Sequence, residues 1–312
     1  MRSRRIVLAV LPLALAGAVA LSTLKPQWLL DSEFARQRWL AGAEVRTTQA
    51  AAHRWVYLEA GAPDRPLIVL VHGFTGSKEN WLPLMRRLGK THHVIAPDLP
   101  GWGESERQAS ASYGPGAQVE RLAAFLRRLP AKPVLLVGHS MGGQIVGLLS
   151  ARHPELVARV SLMSSAGVKF AENEFGLAVL AGHNPFEVTT RAELHRYLAI
   201  VFDDPPFVPW PVDEALVRQR RANAGFEQQV LDAIGRGPEA FALEAELAKV
   251  QAPVLLLWCR NDRVIDVSAA DIFHRGLPAS RTVLLAGCGH MPMMAQPDNV
   301  ASALTHFLSS PL

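Results

Sequence analysis

The stretch Val134-Leu-Leu-Val-Gly-His-Ser-Met-Gly-Gly-Gln144 decides how this chain folds. Its leading apolar residues are typical of a short strand that is buried on both faces. The pattern G-x-S-x-G follows at once, and a helical pattern begins at Gln144. A strand that passes through such a turn into a helix presents the serine on a sharp, exposed bend. We therefore predict a strand over residues 134–137, a tight turn at Ser140 and a helix over residues 144–152.

Ser140 is the candidate nucleophile of this turn. Gly138 and Gly142 lie two residues to either side of it, where a side chain would collide with the neighbouring backbone. The pattern alone is weak evidence, because glycine and serine are common residues. Between a buried strand and a helix, however, it indicates nucleophilic catalysis rather than an ordinary glycine-rich turn.

A serine nucleophile requires a base, and the base requires a carboxylate that orients it. On a sheet of this kind the acid and the histidine follow the serine in that order, each after a strand. Asp262 comes shortly after the apolar run Val254-Leu-Leu-Leu-Trp258, and His290 comes shortly after Thr282-Val-Leu-Leu285. We predict Asp262 as the acid and His290 as the base.

Three other residues compete for these roles. Asp266 is the alternative acid, but its position just before a helical pattern favours a helix cap. His139 adjoins the nucleophile in the chain, yet neighbouring side chains on a turn point in different directions. His72 precedes a glycine on a loop, and we expect it to brace that loop by hydrogen bonding.

The transition state of acyl transfer needs hydrogen-bond donors for its developing oxyanion. The first expected donor is the backbone N–H of Met141, directly after the nucleophile. The second is expected from the loop His72-Gly-Phe-Thr-Gly76, most plausibly the backbone N–H of Phe74.

Short apolar runs alternate with longer helical patterns, which is typical of an α/β protein with a mostly parallel sheet. We expect about eight strands with helices on both faces. Strand-like runs occupy residues 55–58, 67–71, 93–96, 134–137, 160–163, 254–258 and 282–285, and the first of them is a candidate antiparallel strand. Helical patterns occupy residues 81–88, 117–129, 144–152, 269–277 and 298–308.

Residues 168–250 interrupt this alternation. They contain no strand-like run, they resemble several short amphipathic helices, and Pro205, Pro206, Pro209 and Pro211 would end any helix in their middle. We expect a helical cap, inserted before the penultimate core strand. The core would comprise residues 51–167 and 251–312, preceded by a linker or amphipathic segment over residues 25–50.

The N terminus differs in composition from the rest. Arg2, Arg4 and Arg5 precede residues 6–24, which carry no charge. This pattern predicts a signal peptide or an N-terminal membrane anchor over residues 1–24, with the following domain on the non-cytoplasmic side of the membrane or secreted. A buried core helix is the alternative.

The formal net charge of +4, without a basic stripe interleaved with aromatic residues, gives no indication of nucleic-acid binding.

From Trp55 to Leu308 the sequence resembles the α/β-hydrolase superfamily. The matching motifs are His72-Gly-Phe74, Asp98-Leu-Pro-Gly-Trp-Gly-Glu-Ser105, Gly138-His-Ser-Met-Gly-Gly143, Asp262 and Gly289-His290. Within the superfamily it is most similar to bacterial family V lipases and membrane-anchored monoacylglycerol lipases, by Ser164-Ser-Ala-Gly167, His183-Asn-Pro-Phe186, Phe202-Asp-Asp-Pro-Pro-Phe207 and Ile265-Asp-Val-Ser268. Cys259 departs from the pattern, which commonly has glycine there.

The resemblance implies hydrolysis of carboxylic esters, in particular those of lipid acyl chains, with Ser140, Asp262 and His290 as the triad and no cofactor or metal. One alternative is cleavage of a carbon–carbon bond in a vinylogous diketone, a reaction of related enzymes with the same elbow. That reaction belongs to cytoplasmic enzymes, so the N-terminal pattern argues against it. A non-catalytic binding module is the other alternative. The oligomeric state is left open.

The two cysteines, Cys259 and Cys288, each follow a predicted core strand, close to Asp262 and His290 respectively. If these strands are parallel neighbours, the two loops emerge side by side. An exported protein meets an oxidising compartment, so a disulfide is chemically permitted. The alternative is a pair of buried free thiols, which behave as small hydrophobic residues.

Overall fold

One eight-stranded sheet organises the fold. The structure is a computed structural model, and it describes residues 25–310. The strand order is β1-β2-β4-β3-β5-β6-β7-β8; β1 pairs antiparallel with β2 and β2 with β4, and every other pairing is parallel. The strands are β1 Ala43–Ala50, β2 His53–Ala60, β3 Leu67–Val71, β4 His93–Pro97, β5 Leu135–His139, β6 Val160–Met163, β7 Val254–Cys259 and β8 Arg281–Leu285.

The central strands consist of apolar residues because both faces of the sheet are covered. Every residue of β3, β4, β5, β6 and β7 is buried. A parallel sheet needs crossover helices, and these lie on its faces and exclude water from both sides. The continuous apolar runs of the sequence therefore mark the strands, and the predicted α/β-hydrolase fold with a mostly parallel sheet is confirmed.

The helices of the described residues lie in the order expected from the sequence, with ends that differ by a few residues. They are α1 Pro26–Ala41, α2 Leu82–Leu88, α3 Pro115–Leu126, α4 Met141–Arg152, α5 Glu174–Leu180, α6 Arg191–Val201, α7 Val212–Gly235, α8 Ala242–Glu246, α9 Ser268–Gly276, α10 Pro292–Ala295 and α11 Pro297–Ser309.

Helices α5, α6, α7 and α8 all lie in the segment between β6 and β7. The proline cluster separates α6 from α7, and Pro211 directly precedes the first residue of α7. Proline lacks the N–H that a helix interior uses, so the chain bends there instead of continuing α6. The segment contacts the rest of the fold through α8, which packs on α4, and through α7, which packs on α1.

The expectation of a linker or amphipathic segment over residues 25–50 is wrong. This segment forms helix α1 and strand β1, and β1 pairs with β2 along its whole length, from Ala43–Ala60 to Ala50–His53. Strand β1 was missed because most of its side chains face solvent and show no apolar alternation. Backbone pairing with β2 forms this edge strand, and that pairing has no local sequence signal.

Residues 1–24, for which we predict a signal peptide or membrane anchor, lie outside the described residues. Within residues 25–310, no helix combines the length and the apolar character that crossing a membrane would require.

Candidate active site

Ser140 occupies a strained turn between the end of β5 and the start of α4. Its backbone has φ 54° and ψ −120°, in the region of positive φ that residues with a side chain seldom adopt. The serine is nearly buried, at 7% exposure, and it lines an apolar cavity. The strand–turn–helix predicted for residues 134–152 is therefore present, with the serine at the bend.

The glycines on either side of Ser140 allow the strand and helix to approach closely. A Cβ atom added to Gly138 would lie 2.3 Å from the carbonyl oxygen of Gly142, and one added to Gly142 would lie 2.4 Å from that of Val71. Neither clash could be relieved by a side-chain movement, because both involve backbone atoms. The spacing G-x-S-x-G is thus a packing requirement of this turn.

Asp262 and His290 form a buried pair on adjacent loops. The His290 Nδ1–H donates to both carboxylate oxygens of Asp262, at 2.9 and 3.0 Å. Asp262 Oδ1 also accepts hydrogen bonds from the backbone N–H groups of Val264 and Ile265, at 2.9 and 3.0 Å. These bonds fix the carboxylate, so the histidine ring is oriented with its Nε2 available for proton transfer.

The alternative acid, Asp266, forms no hydrogen bond with His290 among the described residues. Its Oδ1 accepts a hydrogen bond from the backbone N–H of Ser268, the first residue of α9. This is a structural contact just before the helix, but the N-cap residue is Val267, one residue after the position expected from the sequence.

Cys259 and Cys288 form a disulfide with a Cα–Cα distance of 5.4 Å. Cys259 is the last residue of β7, and it lies opposite Leu285, the last residue of the parallel neighbour β8. The bridge therefore joins the loop of Asp262 to the loop of His290 at the point where both leave the sheet. The structure therefore contains the disulfide and not the alternative pair of free thiols.

Ser140 and His290 are brought together around the loop that follows β3. His290 lines a small niche with Gly73 and Phe74, while Ser140 and Phe74 line the apolar cavity. No hydrogen bond joins Ser140 to His290 among residues 25–310. In structures without substrate such bonds are often long and tighten only in the reacting complex.

Phe74 and Met141 supply backbone N–H groups at the cavity. Both residues line it beside Ser140, and within the described part of the chain neither amide donates to another protein group. Met141 is the first residue of α4, where helix N–H groups have no intrahelical acceptor. The two amides are therefore free to receive an oxyanion.

His72 braces the Phe74 loop. Its Nε2 accepts a hydrogen bond from the backbone N–H of Leu99 at 3.0 Å, so its Nδ1–H donates to the carbonyl of Gly73 at 2.8 Å. Burial lowers the pKa of His72, which keeps the ring neutral, as this arrangement requires. The expected bracing role agrees with these bonds.

A buried ionic cluster beneath the same loop was not anticipated from the sequence. The Nζ of Lys78 lies 2.9 Å from Asp98 Oδ2 and 2.9 Å from Glu104 Oε2. Asp98 Oδ1 accepts the backbone N–H of Lys78 at 2.7 Å. Burial opposes the charge on Lys78, but the carboxylates of Asp98 and its neighbours outweigh it and raise the pKa of the ammonium group. The cluster ties the loop after β3 to the loop after β4.

His139, which was not expected at the site from the sequence, contacts His290. The ring centroids are 4.7 Å apart, and His139 Nε2–H donates to the His290 carbonyl at 2.7 Å. A histidine next to the nucleophile carries no sequence signal for such a contact, because the partner lies far along the chain.

The cavity beside Ser140 has a volume of about 300 Å³ and a mostly apolar lining. Its aromatic and aliphatic walls come from the segment between β6 and β7, and its charged lining residues are Lys169 and Glu172. Typical lining residues are Phe170, Phe175, Val179, Phe186, Leu231 and Ile234. A cavity of this character accommodates an apolar chain better than a charged ligand.

Known proteins share this architecture. The chain is 30% identical to monoacylglycerol lipase abhd6-B of Xenopus laevis over 86% of this chain and 83% of the relative, and 28% identical to Lipase 1 of Psychrobacter immobilis over 84% and 83%. Among solved structures, a bacterial membrane phospholipase A described as a virulence factor superposes with a TM-score of 0.88 at 36% identity, covering 98% of each chain. The family model described as "Alpha/beta hydrolase family" matches residues 68–303. The chain belongs to the alpha/beta hydrolase family.

Proposed function

We propose that this protein hydrolyses carboxylic esters of lipid acyl chains through Ser140, His290 and Asp262. The observation that carries the proposal is the buried His290–Asp262 pair beside a serine on a strained turn at the wall of an apolar cavity. The lipase names of its relatives agree with this substrate class.

The proposed reaction has two steps. His290 Nε2 takes the proton of Ser140 Oγ as that oxygen attacks the ester carbonyl, and Asp262 stabilises the resulting imidazolium. The N–H groups of Phe74 and Met141 bind the oxyanion. The alcohol leaves with the proton from His290, and water then hydrolyses the acyl-enzyme with His290 as base again.

The cavity gives the expected substrate preference. We infer that residues 168–250 act as a cap whose apolar side chains surround the acyl chain, because most lining residues belong to this segment. Burial of each CH₂ group contributes about 0.8 kcal/mol, so affinity should increase with chain length until the cavity is filled.

We also propose that residues 1–24 attach the enzyme to a membrane, with the catalytic domain on the non-cytoplasmic side of the cell envelope. Arginines followed by an uncharged apolar run support this orientation. In α1, which follows this run, Trp28 and Trp39 are exposed at 52% and 79%, and tryptophan is enriched at membrane–water interfaces. Cell fractionation should find the full chain in the membrane pellet after alkaline carbonate washing, and a chain starting at Lys25 in the supernatant. A full chain in the supernatant would contradict the proposal.

The test of activity is a series of p-nitrophenyl esters from acetate to palmitate, measured with the wild type and with Ser140→Ala. We expect kcat/KM to rise with chain length and to disappear in the variant. A fluorophosphonate probe should label the wild type only. If the wild type neither reacts with the probe nor hydrolyses any ester, the protein is a non-catalytic binding module instead.

The carbon–carbon bond hydrolase alternative is tested in the same experiment with a vinylogous diketone acid as substrate. Such a substrate carries a carboxylate, for which Lys169 is the one cationic residue of the cavity lining among the described residues. Turnover of the diketone in preference to every ester would overturn the proposed function.

A further inference from the structure

A small niche beside His290 lies apart from the acyl cavity. Its volume is about 20 Å³, and its lining includes Gly73, Phe74, His139 and His290. A cavity must offer about 10–15 Å³ to hold one water molecule, so this niche has room for one. Ser140 and Met141 line the acyl cavity, whereas Phe74 lines both spaces. The niche thus adjoins the proposed oxyanion site without overlapping the position of the acyl chain.

His139 lines this niche and carries a hydrogen-bond acceptor without a protein donor among the described residues. Its Nε2 bonds to the carbonyl oxygen of His290, which can only accept, so the proton is on Nε2. In the neutral ring Nδ1 is then an acceptor, and within residues 25–310 no group donates to it. A Cβ added to Gly73 would lie 2.9 Å from both His139 Nδ1 and Ser140 Cβ. His139 Nδ1 and Ser140 Cβ therefore both lie close to Gly73, which lines the niche.

The ring of His139 is neutral for a physical reason. It is 3% exposed, and burial, followed by the neighbouring His290, holds its pKa well below the ordinary value for histidine. A polar atom of a mostly buried side chain is seldom left without a partner, because an unpaired polar atom costs about 1–3 kcal/mol. An acceptor on a residue that lines a space for one water can be satisfied by a ligand with an O–H group.

We propose that this niche binds the water that hydrolyses the acyl-enzyme, and that His139 Nδ1 accepts one of its hydrogen bonds. The inference rests on the proposed ester hydrolysis. The second hydrogen of this water points to His290 Nε2. As the water oxygen attacks the acyl carbon, that proton moves to His290 Nε2; on collapse of the intermediate it passes to Ser140 Oγ, the bond between Oγ and the acyl carbon breaks, and the carboxylic acid leaves.

Two substitutions separate the two nitrogen atoms of His139. The amide nitrogen of glutamine can replace Nε2–H, so His139→Gln keeps a donor to the His290 carbonyl and removes the Nδ1 acceptor. The side chain of asparagine reaches only the Nδ1 position, so His139→Asn keeps an acceptor at the niche and removes the bond to the carbonyl. His53→Asn is the matched control, because His53 is also buried and donates through Nδ1 to a backbone carbonyl, that of Ala51, far from the site, and asparagine keeps this donor.

The experiment is stopped-flow hydrolysis of p-nitrophenyl butyrate, which separates acylation from deacylation. We expect His139→Gln to release p-nitrophenol in a burst equal to the enzyme concentration, followed by a steady state slowed about tenfold or more. Acid quenching and intact-mass measurement should detect the butyryl-enzyme in this variant. His53→Asn should match the wild type in both phases.

Other outcomes decide against the niche. An equal slowing of burst and steady state in His139→Gln would mean that His139 only positions His290, and unchanged kinetics would mean that it has no role; either result overturns the proposal. Should His139→Gln fail to fold, His139→Asn carries the test: it keeps the acceptor at the Nδ1 position, so a slowing of deacylation without a slowing of acylation in this variant would contradict the assignment of Nδ1. Inactivity of the wild type towards every ester would instead remove the proposed function itself.

Discussion

Cys259 and Cys288 join the loop of the proposed acid to the loop of the proposed base, with both cysteines buried. The sequence separation of 29 residues makes the bridge worth about 3–4 kcal/mol by loop-closure entropy. We expect Cys259→Ala/Cys288→Ala to lower the free energy of unfolding by about that amount and to reduce kcat, because Asp262 and His290 then move more independently. Denaturant unfolding and ester hydrolysis measure both effects. The unfolded, unreduced wild type should contain no free thiol, and finding two thiols would contradict the bridge.

The strained backbone of Ser140 predicts opposite effects on activity and stability. Ser140→Gly should lose ester hydrolysis by roughly 10³-fold or more. Its free energy of unfolding should nevertheless exceed that of Ser140→Ala by about 1 kcal/mol, because glycine tolerates φ 54° and alanine does not. Denaturant unfolding of both variants measures this difference. A tenth of wild-type activity in either variant would remove Ser140 from the mechanism.

Substitution of Asp262 should mainly reduce activity, whereas substitution of Asp266 should mainly reduce stability. Asp262→Asn is expected to lower kcat by several orders of magnitude, since the amide cannot stabilise the charged form of His290. Asp266→Asn should retain most activity and lose about 0.5–1 kcal/mol of stability through its contact at the start of α9. Kinetics and thermal unfolding of both variants decide the assignment, and reversed phenotypes would make Asp266 the acid.

Removal of the Lys78 charge should destabilise the fold. Lys78→Met leaves Asp98, a fully buried carboxylate, without its cation, and breaking a buried pair of this kind costs about 3–5 kcal/mol. Arg36→Met is the control, because the pair between Arg36 and Glu33 is exposed and should contribute nothing measurable. Equal unfolding midpoints for the two variants would show that the cluster does not hold the loops together.

His72 and His139 should make stability fall at mildly acidic pH. Burial lowers the pKa of both rings, whereas in the unfolded chain they titrate near 6.5. Below about pH 6.5 the unfolded state therefore binds more protons, and the free energy of unfolding decreases as the pH falls towards the lower folded-state pKa values. Urea unfolding between pH 7.5 and 5 measures this slope, which should be shallower in His139→Gln. Identical slopes would mean that His139 is not held neutral in the fold.

The positions of the site residues could be predicted because each lies next to a strand with a strong local signal. The buried runs before Ser140, Asp262 and His290 are continuous and apolar, and glycines occur where the turn requires them. Sequence order then indicated which residues would meet, since parallel strands end at the same edge of a sheet. The one central strand with a weaker pattern, β8, is half exposed and was still recognised.

Other features of this protein depend on residues that are distant in the chain. Neither β1 nor the cluster of Lys78 with Asp98 has a local pattern, because one is formed by backbone pairing and the other by burial of opposite charges.

The amino-acid sequence by itself determined the α/β architecture and the candidate triad, because apolar runs and a glycine-flanked serine act over a few residues. The tertiary structure decided the pairing of Cys259 with Cys288 and the contact of His139 with His290. Both depend on which loops become neighbours once the sheet has formed, and distances of that kind are not encoded in any short stretch of the chain.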